Sequence, residues 1–244
     1  MSEVALLMAG GRSERMRAAA GPRHKALTEV GGRTLIEHNA AQLLDAGFEE
    51  IVVVLGAGEP ELAAFVDERL VPFARARKAR IRTEVEAVPL GNIGFAGTFA
   101  AADGDVLVVY VDNLCALDLR ELLAFHRRQR CDFTIATHEE AFPIPYGELD
   151  VRDGRVVAYR EKPRLRVRVS SGTCVAGPRA RALIAPGRKL DARDLFVLVT
   201  EAGLAVGAFE HDAAWVDVND PAAARRAEEL LAADPHVFRT AVRA

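Results

Sequence analysis

Residues 4–25 read VALLMAGGRSERMRAAAGPRHK, and the first eight of these decide the fold class. Val4-Ala5-Leu6-Leu7-Met8-Ala9 is apolar at every position and stops at the pair Gly10-Gly11. A strand with one wet face alternates apolar and polar residues. An unbroken run therefore means burial on both faces, as in parallel strands covered by crossover helices. Further strands are predicted at residues 51–55, 81–84, 106–111 and 133–137. Between them, Leu35, Asn39, Leu43 and Leu44 fall on one helical stripe, and Leu119, Leu122, Leu123 and Phe125 on another. The alternation predicts an α/β fold, an open and mostly parallel sheet flanked by helices.

After about residue 140 the rhythm changes. Residues 146–151 and 155–159 flank Asp153-Gly154, whose tolerance of positive φ predicts a tight hairpin and a mixed extension of the sheet. Helices are predicted at 178–184, 192–202 and 221–233, the last capped by Asp220 with Pro221 in its first turn, and a strand at 205–209. No repeat, low-complexity tract or linker interrupts the sequence. Residues 1–244 read as a single domain with two parts, 1–140 and 141–244.

A chain of 244 residues, half of them apolar, can bury roughly 70–75% of its unfolded surface without metal or disulfide staples. The 32 Lys and Arg against 35 Asp and Glu leave a formal charge of −3, no excess with which to hold a nucleic acid. Charged residues at 27% match ordinary globular usage and exclude long disorder. Cys115, Cys131 and Cys174 are odd in number, widely spaced and without a CxxC pair, which predicts neither a disulfide framework nor a zinc site and favours a reducing, cytoplasmic compartment. Glu3 stands where an export signal would be basic, and no apolar run nears the roughly 18–20 residues that cross a bilayer. Neither nucleic acid nor membrane is an expected partner.

The chemistry concentrates at strand ends. From Arg12 to Lys25 there are Arg12, Arg15, Arg17, Arg23 and Lys25 against Glu14 alone, a basic stretch in an acidic chain. A glycine turn at the carboxyl end of a strand lets backbone N–H groups approach an anion that Arg and Lys then neutralise, so phosphate is the natural ligand. The order Gly10-Gly11-Arg12-Ser13 fits neither the P-loop nor the dinucleotide fingerprint. Asp112 ends the apolar run at 106–111, where open α/β sheets bind ligands. Of the six histidines only His24 lies inside a motif; the others read as surface or loop residues, and no Ser-His-Asp or Cys-His arrangement suggests covalent catalysis.

Taken in order, these segments resemble the sugar 1-phosphate nucleotidyltransferase family. Ala9, Gly10, Gly11, Arg15, Met16, Lys25 and Leu27 match its A-G-G-x-G-[ST]-R-[LM] and P-K-x-L opening, with Ser13 and Glu14 replacing a glycine and a hydroxyl residue. Gly31-Gly32-Arg33-Thr34-Leu35-Ile36 is similar to G-[KR]-P-[LM]-[IL], and Pro89-Leu90-Gly91 to the P-L-G turn near the base. Tyr146-Gly147, Glu161-Lys162-Pro163, Ser170-Ser171-Gly172 and Trp215-Val216-Asp217 follow where the family has Y-G, E-K-P, N-x-G and W-x-D. Val111, Ser170 and Asn219 are further departures, for the glycine before the metal-site aspartate, the sugar-binding asparagine and the glycine after W-x-D-[IV].

The resemblance implies a Rossmann-like, mostly parallel mixed sheet of the GT-A-like nucleotidyltransferase kind, with 1–140 binding nucleotide and 141–244 binding sugar. It implies transfer of a nucleotidyl group from an NTP, with GTP favoured by Pro89-Leu90-Gly91, to a sugar 1-phosphate. Arg15 would hold the leaving phosphates and Lys25 the α-phosphate, while Asp112 and Asp217 would hold Mg²⁺. Ala9, Gly10, Gly11, Arg12, Ser13, Pro89 and Gly91 would line the nucleotide, and Asn113, Tyr146, Gly147, Glu161, Lys162, Ser170 and Ser171 the sugar. A monomer or homodimer is expected. Two other readings are a nucleotidyltransferase of the same fold for a non-sugar phosphate, such as phosphocholine or a phosphonate, or one that builds a molybdenum cofactor, and a catalytically weak nucleotide-sugar-binding regulator.

Overall fold

The computed structural model describes residues 3–11, 23–99 and 104–238. Its strands are β1 (Val4–Ala9), β2 (Glu29–Val30), β3 (Arg33–Thr34), β4 (Glu50–Gly56), β5 (Arg80–Glu86), β6 (Val106–Tyr110), β7 (Asn113–Cys115), β8 (Phe133–Pro143), β9 (Glu148–Arg152), β10 (Arg155–Arg160), β11 (Arg164–Ala176), β12 (Val206–Glu210) and β13 (Trp215–Asp217). Its helices are α1 (Leu35–Asp45), α2 (Pro60–Phe65, continuing through a π turn at Val66–Leu70 into Val71–Arg75), α3 (Leu119–Arg128), α4 (Pro178–Arg181), α5 (Ala192–Glu201) and α6 (Pro221–Ala233).

Seven strands form one sheet in the order β12-β8-β11-β6-β1-β4-β5. Strand β1 pairs in parallel with β4 and β6, β4 with β5, and β8 with β12. Only β11 runs against its neighbours, β6 and β8, so the expected mixed and mostly parallel sheet is borne out. The chain leaves β1 to build β4 and β5 on one side and returns with β6 on the other. That reversal opens a crevice beyond the carboxyl ends of β1 and β6.

Both faces of the central strands are covered, which is why their sequences are continuously apolar. Ala5, Leu7, Ile51, Val53 and Leu107 pack toward Ile36, Ala40 and Leu43 of α1, Leu62 of α2 and Leu122 of α3. The alternate residues Leu6, Met8, Val52, Val54 and Val108 pack on the other face toward Leu90, Ile93 and Phe95 and toward Leu195 and Val199 of α5. Each such side chain contributes roughly 1.5–3 kcal/mol when fully buried.

Helix starts are set by side chains. The Thr34 backbone N–H donates to Glu37 and the Glu37 N–H to the Thr34 hydroxyl, a reciprocal box that begins α1. Asp220 accepts from the Ala223 N–H at 2.8 Å to begin α6 where the sequence places it.

Several elements differ from expectation. The hairpin β9–β10 turns through Asp153 (φ 49) and Gly154 (φ 72), as predicted, but is a separate two-stranded sheet. Strand β8 runs on to Pro143, so the boundary drawn at residue 140 falls inside a strand. Its partner β11, at 13 residues, is not among the predicted strands. His126 and His138 are only 2% and 7% exposed, a correction to their reading as surface residues, because each finds a hydroxyl partner in the interior. Among the described residues no helix is long and apolar enough to cross a membrane.

Candidate active site

Two adjoining cavities open along the carboxyl edge of the sheet, of about 700 and 570 Å³, and share Asn92, Tyr110 and Asp112 as a common wall. Gly10 and Gly11, which follow β1, line the first. A Cβ on Gly10 would lie 2.9 Å from Glu86 Oε2, so the missing side chain lets the end of β5 close on the glycine turn. Ala9 is fully buried at the end of β1 and lines neither cavity.

Pro89 and Gly91 line the same cavity. Gly91 holds φ 80, and a Cβ there would meet the Leu190 carbonyl oxygen at 2.3 Å, so glycine is required. Around it, segment 90–93 is laced to segment 190–192. The Leu190 N–H donates to Leu90 O, the Asn92 N–H to Asp191 Oδ1, and the Ala192 N–H to Asn92 Oδ1. Lys189 and Asp191 thereby reach the first cavity from the far half of the chain.

Lys25 begins a short 3₁₀ turn. The Ala26 N–H donates to His24 Nδ1, which leaves Nε2 as the protonated nitrogen, and Nε2–H donates to Gly11 O at 3.2 Å. This histidine holds the turn against the glycine segment and so directs Lys25 Nζ to Asp112 Oδ2 at 2.5 Å, with both side chains about 15% exposed. Asp112 follows β6, and Asn113 Nδ2 donates to its Oδ1. The β7–β13 ladder sets Asn113 opposite Asp217, and the Val218 N–H donates to the Asp112 carbonyl, so two aspartates far apart in sequence become neighbours. Val216 and Val218 anchor that ladder against Val30, Leu35 and Ala227.

Asp112 and Asp217 both line the second cavity and offer hard oxygens. Among the described residues no cluster of three or more His, Cys, Asp or Glu forms a complete metal cage. Two carboxylates beside a phosphate-sized opening suit Mg²⁺, which keeps few protein ligands and fills its octahedron with phosphate oxygens and water.

Glu86, not singled out by the sequence reading, lines the first cavity and is 5% exposed. Its Oε2 accepts from the Leu90 N–H, whereas its buried Oε1 has no partner among the described residues. Burial raises its pKa above the ordinary carboxylate value, against the lowering effect of the Leu90 bond. Its place as the last residue of a strand facing the crevice was the available signal.

The second cavity is lined by Asn113, Ser170 and Trp215, and by Glu140 and Arg226, which the sequence reading did not name. Gly172, at φ 70, makes room for Asn113, whose Nδ2 a Cβ would approach to 2.5 Å. Ser171 is fully buried between His138 and His211 and lines neither cavity, because its hydroxyl is taken up by the two imidazoles. Tyr146 is 75% exposed, Glu161 accepts from the Tyr159 hydroxyl, and Lys162 lies at φ 45 in the turn between β10 and β11. With Gly147, these three remain on the hairpin arm outside both cavities. Arg12, Ser13 and Arg15 lie outside the described residues.

Mannose-1-phosphate guanylyltransferase catalytic subunit beta of Dictyostelium discoideum is 26% identical over 227 residues, covering 89% of this chain and 61% of that protein. The mannose-1-phosphate guanyltransferase of Saccharomyces cerevisiae is 28% identical, with 88% and 61% covered. The chain thus spans about three fifths of the length of these curated relatives. Among solved structures, a Bacillus anthracis protein provisionally described as a glucose-1-phosphate thymidylyltransferase, in complex with a sucrose, superposes with TM-score 0.73 at 17% identity, covering 93% of this chain and 94% of that one. HddC from Yersinia pseudotuberculosis, complexed with GMP-PN, gives 0.69 at 21%, with 94% and 99% covered. These two share the fold. The MobA-like NTP transferase domain model matches residues 5–216, and the chain belongs to that family.

Proposed function

We propose that this chain transfers a guanylyl group from GTP to a sugar 1-phosphate, releasing pyrophosphate. The observation that carries the reading is the shared wall. A nucleotide-sized cavity and an acceptor cavity meet at Asp112, beside Lys25 and Asp217, where a phosphate oxygen of one substrate can face the α-phosphorus of the other. The names of the Dictyostelium and Saccharomyces relatives support the same choice of substrates.

An oxygen of the sugar phosphate attacks the α-phosphorus and the bond to pyrophosphate breaks. The attacking group is already an anion at neutral pH, so positioning and neutralisation of charge carry the catalysis. Lys25 would neutralise the α-phosphate, and Arg15, by resemblance, the leaving phosphates. Asp112 and Asp217 would hold Mg²⁺, which supplies further charge neutralisation at the phosphoryl oxygens when bound. Gly10, Gly11, Pro89 and Gly91 would admit the nucleoside. Among the described residues, Arg226 is the basic side chain that lines the acceptor cavity. Tyr146, Gly147, Glu161 and Lys162 would act from the hairpin arm, and Asn113 and Ser170 from the cavity wall.

Glu86 supports GTP among the nucleotides. Guanine presents two adjacent donors, N1–H and the N2 amino group, which one carboxylate can accept together, whereas the edges of the other bases interleave acceptors that an ionised carboxylate repels. The test is a pyrophosphate-release screen of four NTPs against sugar 1-phosphates and phosphocholine. GTP with a sugar 1-phosphate is expected to turn over, to stop with chelator and to resume with Mg²⁺. Turnover confined to phosphocholine, or none at all, would sink the proposal.

A further inference from the structure

Beneath the acceptor cavity, four side chains from three segments form one hydrogen-bonded chain. His138 Nε2 lies 3.3 Å from Glu140 Oε1, His138 Nδ1 lies 2.8 Å from Ser171 Oγ, and Ser171 Oγ lies 2.7 Å from His211 Nε2. The Trp215 ring packs on His138 with centroids 4.4 Å apart, and its Nε1–H donates to the Ser171 carbonyl. Glu140 and Trp215 both line the cavity.

The proton positions follow from the end of the chain. An ionised carboxylate only accepts, so His138 Nε2 carries the hydrogen. A neutral His138 then accepts at Nδ1 from the Ser171 hydroxyl, and Ser171 accepts from His211 Nε2–H. This leaves His211 Nδ1 bare, and that atom is buried without a partner among the described residues. The opposite direction would bury an unpaired N–H there, which is costlier than a bare ring nitrogen. Burial is the main cause that lowers the His211 pKa to about 4, which agrees with a neutral ring. The charged groups around this chain are engaged with one another: Arg168 pairs with Glu210 and Arg166 with Glu139.

Resting on the sugar 1-phosphate reading, we propose that Glu140 is a specificity-determining residue for the acceptor and that His138, fixed through Ser171 by His211, is its positioning residue. The bond to His138 uses one carboxylate oxygen and leaves the other for a ligand. A carboxylate held in this way selects acceptors whose sugar ring is uncharged and polyhydroxylated. Sugar hydroxyls donate to it only from the right positions, and an acceptor lacking the matching hydroxyl leaves a partly buried charge without that partner. Neither residue lines the first cavity, so the nucleotide side is expected to be untouched.

The experiment compares wild type with Glu140→Gln, Glu140→Ala, His138→Leu, His138→Gln and Ser171→Ala, using the best sugar 1-phosphate and its monodeoxy analogues. Glu140→Gln and Glu140→Ala are expected to raise the acceptor KM about tenfold or more with little change in the GTP KM, and to flatten the penalty that wild type shows for one deoxy analogue. His138→Leu is expected to reproduce that flattening. His138→Gln, whose amide N–H can still donate to Glu140, is expected to restore the wild-type deoxy penalty in part. Ser171→Ala supplies a milder version should His138→Leu fail to fold. An active wild type whose acceptor KM and deoxy profile are unchanged in both Glu140 variants overturns this assignment alone. A wild type inactive with every sugar 1-phosphate overturns the functional reading and this assignment with it.

Discussion

On the proposed reading, Glu86 sets nucleotide selectivity at the expense of stability. Its carboxylate is buried with one oxygen unpartnered among the described residues, and burial raises its pKa. Being a carboxylate with a raised folded-state pKa, it is destabilising when ionised at neutral pH and ceases to be so as pH falls through that raised value. Guanine needs the ionised form, so the GTP KM is expected to rise as pH is lowered from neutrality into the acid range. Glu86→Gln is expected to lower kcat/KM for GTP by about 10- to 100-fold, the size of a charge-assisted hydrogen bond, and to favour UTP relatively, whose N3–H and flanking carbonyl suit a carboxamide. The variant is expected to melt no lower than wild type at pH 8. An unchanged base ranking would remove Glu86 from the nucleotide. At this scale Gly10, Lys25, Gly91 and Asp112 were legible in the sequence, because strand ends and tight turns leave local marks. Glu140 and the His138–Ser171–His211 chain were not, because their contacts join segments from both sides of the hairpin.

Elements of the parallel half were legible for the reason that they are buried on both faces. Strand β11 also carried its own signal, the alternation Arg164-Leu165-Arg166-Val167-Arg168-Val169, which is the period of a ribbon rather than of a buried strand. What the sequence hid is how elements are joined. Asp105, just before β6, receives Arg127 Nε–H from α3 at 2.9 Å and lies 3.5 Å from His126 Nε2, while Arg127 also reaches Glu3 before β1. The hydrogen bond from His126, followed by that from Arg127, outweighs burial and lowers the Asp105 pKa from 3.8 to about 2. A depressed carboxylate pKa stabilises the fold above its unfolded value, and that contribution disappears as pH falls through the folded value. Asp105→Asn is therefore expected to cost about 1–2 kcal/mol at pH 7 after allowance for solvent screening, with the gap closing between about pH 4 and pH 2. Urea titrations at pH 7, 4, 3 and 2 measure it. A gap independent of pH would mean that packing, not charge, is lost.

At the scale of the whole molecule, the two cavities are fixed relative to each other by a contact between distant parts of the chain. Segment 90–93 from the first half and segment 190–192 from the second exchange backbone and side-chain bonds, and Asn92 borders both cavities. On the proposed reading, the geometry of nucleotidyl transfer depends on that register, since displacement by about an ångström between reacting groups can cost 100-fold in rate. Asn92→Ala removes the acceptor of the Ala192 N–H, and Asp191→Ala removes the acceptor of the Asn92 N–H. Each is expected to destabilise the fold by about 1 kcal/mol. Because both bonds hold one junction, the double variant is expected to lose less than the sum of the singles by about 0.5 kcal/mol or more. Each single variant is also expected to lower kcat and to raise KM for GTP and for the sugar 1-phosphate together, in contrast to the Glu86 variant, which moves the nucleotide alone, and the Glu140 variants, which move the acceptor alone. Additive stabilities, or a change confined to one substrate, would show that the two segments act separately and that the register of the cavities is set elsewhere.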